Sequence, residues 1–130
     1  MKNLVFLLSL TLVSMGFTSK KIETPPATRY AYVTAMEYLD QSGKYVHLTT
    51  EVVSFNCEFD YDENGWIELQ FYDHYDAYEK NSSRSINFSN AIARTYSSYD
   101  AAEQARRKHL ADLYDVDKRT IYNFYITCID

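Results

Sequence analysis

Residues 60–71 read DYDENGWIELQF, and the reading of this stretch decides the fold. Asp62-Glu63-Asn64-Gly65 has the composition of a tight turn, because an Asn-Gly pair readily takes the positive φ angles of a two-residue hairpin. Beyond it, Ile67, Leu69 and Phe71 alternate with Glu68 and Gln70, the period-two pattern of a half-buried strand. Ahead of it, residues 45–59 are rich in Val, Thr, Phe and Tyr and read as a long strand. The stretch therefore predicts a hairpin whose second arm is a strand over 66–71. Further back, residues 28–39 alternate as well. Tyr30, Tyr32, Thr34, Met36 and Tyr38 share one face, and Ala31, Val33, Ala35 and Leu39 the other. That makes a strand apolar on both sides, joined to the next through the turn Gln41-Ser42-Gly43-Lys44. Three antiparallel strands in a meander result.

Working forward, residues 73–81 predict a short helix with Phe71, Tyr75 and Tyr78 along one side. Asn81-Ser82-Ser83 is a loop, and residues 85–96 read as one or two short strands. Residues 98–115 form the best helix, opened by Ser97 with Asp100 three positions on, a capping-box spacing. Ala102, Ala105, His109, Leu110 and Leu113 make its apolar stripe. The basic run Arg106-Arg107-Lys108-His109 spreads around the helix rather than forming a patch. Residues 120–129 predict a last strand, with Tyr122, Phe124, Ile126 and Cys128 on one side. A sheet with an apolar face needs a cover, and only the long helix has the length to supply it. The expected fold is α+β: a two-layer domain with a mostly antiparallel sheet of four to five strands and the 98–115 helix packed on one face. It occupies residues 28–130 as a single domain, after an extended leader over 17–27 that carries Pro25 and Pro26.

The N-terminus gives the expected destination. Lys2 precedes an uncharged run over residues 4–15, LVFLLSLTLVSM, too short for a membrane span and matched to the core of a signal peptide. Residues 1–16 read as that peptide, with cleavage between 16 and 19. The mature chain is then exported, periplasmic or secreted, and keeps no membrane span. The first cysteine is Cys57, far from the cleavage point, so no lipid attachment is expected. Cys57 and Cys128, the only two cysteines, each sit among apolar neighbours. In an oxidising compartment they are expected to pair.

Net charge is −5, which argues against nucleic acid as a partner. Three glycines in all supply no phosphate-cradling loop, and no Gly-x-Ser-x-Gly elbow occurs. His47, His74 and His109 lack the i,i+4 spacing of a helical zinc pair. No catalytic residue is assigned. An enzymatic alternative is a small carboxylate-based hydrolase drawing on Asp60, Asp62, Asp73 or Asp76.

Asp60, Asp62 and Asn64 stand at positions one, three and five of a calcium-loop pattern, with Gly65 at six, Ile67 at eight and Glu68 at nine. Residues 60–68 resemble the first nine residues of an EF-hand loop. Position twelve is Phe71, where that family has a bidentate Glu. The missing Glu leaves two expectations: a plain acidic turn using Asx and Asn-Gly chemistry that holds no ion, or, as the resemblance implies, a weak calcium site at Asp60, Asp62 and Asn64 with its shell filled by water. No other cofactor is expected.

Tyrosine is the unusual residue, with 13 in the chain. Tyr72, Tyr75 and Tyr78 recur at i, i+3 and i+6 close to Trp66. Aromatic surfaces bind peptides and sugars because a rigid ring buries area with little entropy loss while its hydroxyl still bonds. The expected function is a small exported non-enzymatic binding module, taking a protein or saccharide partner through a surface that includes Trp66, Tyr72, Tyr75 and Tyr78. A structural envelope protein is a further possibility.

Overall fold

The computed structural model describes residues 24–39, 44–59, 62–79 and 87–128. The signal peptide expected over 1–16, the first three residues of the turn expected at 41–44, Asp60 and the loop expected at 81–83 lie outside these residues. Strand β1 (Arg29–Leu39) is central. Ala31, Val33, Ala35 and Glu37 on one face and Tyr32 and Thr34 on the other are all buried, so this strand is covered on both sides. Strand β2 (Lys44–Thr50) pairs with it antiparallel, from Leu39↔Lys44 to Thr34↔Thr49. Strand β3 (Val53–Phe55) pairs with its first residues, from Ala31↔Val53 to Arg29↔Phe55. The strand expected over 45–59 is thus two segments on one edge of β1. The register slips by one residue between them, at Glu51 and Val52, as in a bulge. There the Thr50 hydroxyl accepts from the Val33 amide at 2.9 Å, so a side chain satisfies a buried donor where the ladder is interrupted.

The main correction concerns residues 62–79. Helix α1 (Glu63–Glu79) replaces the expected hairpin and third strand. Asp62 caps it: its carbonyl accepts from the Trp66 amide at 3.1 Å and its Oδ1 from the Gly65 amide at 3.1 Å. Asp-x-x-Gly suits a helix cap as well as a turn, because in both the short acid side chain accepts a nearby backbone N–H. Ile67, Phe71 and Tyr75, spaced by four, are the buried set, whereas Leu69 is 58% exposed. Helical period therefore prevails over the alternation. The short helix expected at 73–81 is the second half of α1.

Strand β4 (Asn87–Tyr96) resolves the ambiguous 85–96 stretch as one strand, antiparallel to β1 on its other edge. Helix α2 (Tyr99–Asp112) follows. Its cap is Ser98, not Ser97, with Ser98 Oγ accepting from the Ala101 amide at 3.3 Å. Its end at Asp112 falls short of 115: Asp115 has φ 53°, and Lys118 Nζ bonds the Leu110 carbonyl at 2.7 Å. Of the expected stripe, Ala102 alone is fully buried and Ala105, His109, Leu110 and Leu113 are half-buried. Strand β5 (Asp117–Ile121) comes earlier than the strand expected at 120–129, and it runs parallel to β2.

The α+β class, the mostly antiparallel sheet and the long helix across one face are as expected, but a second helix covers the other face, so there are three layers rather than the expected two. Helix α2 lies on the Tyr30, Tyr32 and Thr34 face, with Tyr99 edge-on to Tyr30 at 6.0 Å and His109 to His47 at 6.3 Å. Helix α1 covers the opposite face, where Ile67, Phe71 and Tyr75 join Ala31, Val33, Ala35, Leu48 and Ala93 in the core.

Cys57 and Cys128 form a disulfide, with Cα atoms 5.3 Å apart. All β2–β5 partners are 71 residues apart, from Val46↔Asp117 to Thr50↔Ile121, and the cysteines are separated by the same 71. Residues 122–128 thus keep pace with 51–57 after the parallel ladder has ended. Gln70 holds this segment by its amide, donating to the Thr127 carbonyl at 3.1 Å and accepting from the Thr127 amide at 2.7 Å. Phe124 and Ile126 turn into the core beneath it.

Candidate functional site

Helix α1 has four sides with different tasks. Its inner side, Ile67, Phe71 and Tyr75, is core. One flank closes the free edge of β4: Glu68 Oε1 accepts from the Ala93 amide at 2.9 Å and the Tyr72 hydroxyl from the Ala91 amide at 3.0 Å. Unpaired edge amides are templates for association, and these two side chains occupy them. The other flank is Gln70 on Thr127. The outer side carries Trp66, 41% exposed, and Leu69. Both line a shallow groove of about 420 Å³ with Asp62, Gly65, Glu68 and Tyr72. A Cβ at Gly65 would come within 2.5 Å of the Asp62 carboxylate, which would have to swing out of its capping position.

Of the aromatic residues expected on a binding surface, Trp66 and Tyr72 meet in this groove. Tyr75 is only 1% exposed and faces the sheet, because the helix turns it inward with Phe71. The Tyr78 side chain lies outside the described residues. Leu69 belongs to the groove and was missed, since alternation assigned it to the interior. Elsewhere Tyr45, Tyr99, Tyr114, Tyr122 and Tyr125 are exposed, so much of the tyrosine excess lies at the surface.

Helix α1 takes up two of the three calcium-loop residues. Asp62 is engaged as its cap, Asn64 lies in its first turn, and Asp60 is outside the described residues. Among the described residues, no group of three or more His, Cys, Asp or Glu side chains converges to hold a metal ion. Asp73 and Asp76 are exposed on α1. The α1 groove itself holds two carboxylates, Asp62 and Glu68, engaged as the helix cap and on the β4 edge, and another concave surface holds two more. It is a cleft of about 830 Å³ whose lining includes Asp115 and Asp117 with Lys44, His47, Lys118 and Tyr45.

His47 connects that cleft to the α2 interface. Burial, then the Lys118 charge, lowers its pKa. Burial, then Arg94 and His47, lowers that of His109, against a smaller opposing pull from Asp112. His109 Nε2 is buried without a hydrogen-bond partner, a placement that disfavours the charged imidazolium.

Glu37 is the buried acid that sequence reasoning passed over. It is 0% exposed. Its Oε2 takes the Tyr75 hydroxyl at 3.3 Å and faces Arg119 at 3.6 Å, while Oε1 has no partner. It ties β1 to α1 and β5. A lone acid in an apolar strand was the available signal, but its partners are distant in sequence.

Among the described residues, no helix is long and apolar enough to cross a membrane. No family model matches the chain, and no curated protein and no solved structure matches it.

Proposed function

We propose that the protein is an exported, non-enzymatic binding module that works through the outer face of α1. The observation that carries this reading is the pairing of Trp66 and Leu69, adjacent on one helix face and both open to solvent. The inner face and both flanks of that helix are already engaged. Each large apolar side chain is worth roughly 1.5–3 kcal/mol when fully buried, so a partner covering both gains a useful share of that. The Cys57–Cys128 bridge supports passage through an oxidising compartment, in line with the signal-peptide reading of residues 1–16 and a periplasmic or secreted site without lipid. The test compares residues 17–130 with the Trp66→Ser/Leu69→Ser variant as baits against the native envelope or medium. A partner kept by the first and lost by the second is expected. Identical capture by both would remove this face from the function.

A small carboxylate-based hydrolase is the second reading. What favours it is the cleft with Asp115, Asp117 and His47, rather than the acids of α1. It requires a turnover that Asp117→Asn abolishes.

A further inference from the structure

We propose that the outer face of α1 receives a basic amphipathic helix of another protein, its apolar side chains on Trp66 and Leu69 and its lysines or arginines on either side. This rests on the reading of that face as the contact surface.

The first observation is the order of side chains along the face. Asp62, Trp66, Leu69, Asp73 and Asp76 are all exposed. They follow one another by four, three, four and three residues, the spacing of a seam between two helices. The seam reads acid, apolar, apolar, acid, acid. A helix laid along it meets a two-residue apolar step with carboxylates at both ends.

The second observation is where the protein keeps its charge. Across the chain, 18 acidic residues face 13 basic ones, a net of −5. Helix α1 has Glu63, Glu68, Asp73, Asp76 and Glu79 and no Lys or Arg. Without those five acids the full chain holds 13 acidic and 13 basic residues, and residues 17–130 only one base fewer, so nearly all of the net charge is that of one helix. Arg29 pairs with Glu63 at its start, and Glu68 faces the β4 edge. On the outer seam Asp73 and Asp76 are exposed to solvent, and Asp62 caps the helix.

Sign then selects the occupant. Anionic lipid surfaces and nucleic acid are repelled. A second copy presenting its own α1 would set acid against acid. A neutral sugar could stack on Trp66 but gains nothing from the flanking carboxylates. A cationic helix uses both features, with steering from the charge and the retained contact from the apolar pair.

The test uses three synthetic amphipathic peptides of about 18 residues, five helical turns, with the same leucines and with polar positions all Lys, all Gln or all Glu. Trp66, the only tryptophan, reports binding by its emission. The lysine peptide is expected to shift that emission, to weaken about tenfold between about 20 and 200 mM salt, and to weaken several-fold against Asp73→Asn/Asp76→Asn. Leu69→Ser, which keeps the reporter, is expected to abolish the shift. The proposal is overturned if the lysine peptide does not bind, if the Gln or Glu peptide binds as tightly, or if Leu69→Ser leaves binding unchanged. A Gln peptide or a neutral oligosaccharide that binds and is lost with Leu69→Ser sinks the basic partner and leaves the contact surface standing. Failure of every probe, together with identical capture by wild type and Trp66→Ser/Leu69→Ser, sinks both.

Discussion

Replacing both cysteines by serine removes the one covalent cross-link, and its effect follows from the topology. Cys57 and Cys128 are 71 residues apart. Closing a loop of that length in the unfolded chain lowers its entropy by an amount worth about 4 kcal/mol at 25 °C in the chain-entropy model. Unfolding entropy of about 2 cal/mol/K per residue gives a domain of this size about 0.2 kcal/mol/K, so 4 kcal/mol corresponds to about 15–20 °C in melting temperature. The native state gives little back, because the β2–β5 ladder, the Gln70–Thr127 pair and buried Phe124 and Ile126 hold the same segment without the bridge. The assay is thermal unfolding by circular dichroism of Cys57→Ser/Cys128→Ser against the oxidised protein. Mass analysis after alkylation of the unfolded, unreduced wild type is expected to show no modified thiol. A fall of less than about 5 °C would refute the reasoning. It would mean that residues 122–128 detach on their own and that the bridge does not restrain the cooperative unit.

Two further perturbations bear on particular elements. Ile67→Ala should cost about 2–4 kcal/mol in denaturant unfolding and Leu69→Ala less than about 0.5, because the helix buries one and exposes the other; equal costs would restore the strand. The partial burial of His47 and His109, with cations nearby, makes stability pH-dependent. Both folded-state pKa values are lowered, so as pH falls below about 6.5 the unfolded chain takes up protons before the folded one. Stability is therefore complete above that value and declines on acidification toward the folded-state values. Melting temperature should drop between about pH 7 and pH 5, and His47→Gln/His109→Gln should flatten that part of the profile.

Local chemistry was readable wherever a segment's periodicity had a single solution. β1 alternates with apolar residues on both faces, and it lies buried at the centre of the sheet. The α2 sequence has helical spacing without a competing alternation, and only its ends moved, the cap by one residue and the C-terminus from 115 to 112. The cysteines were placed by compartment and apolar neighbours, and the β2–β5 register then carries them to the same level.

Residues 62–75 had two solutions. Ile67, Leu69 and Phe71 satisfy a period of two, and Ile67, Phe71 and Tyr75 a period of nearly four. Asp62 with Gly65 caps a helix as readily as it turns a hairpin. What separates them is distant in sequence: Ala91 and Ala93 for Tyr72 and Glu68, Thr127 for Gln70, Glu37 for Tyr75. A strand over 66–71 would leave those polar groups to find other partners. The same dependence hid Leu69 from the candidate site and Glu37 from the core. By itself the sequence determined the α+β class, a strand over 28–39 apolar on both faces and the long helix, because each depends on side-chain order within a short span, and it paired the only two cysteines by compartment; that β1 is central rather than the first of a meander came from the structure. The tertiary structure alone decided that α1 is a helix and which of its sides is left to solvent, because that choice rests on hydrogen bonds and burial supplied by strands far away in the chain.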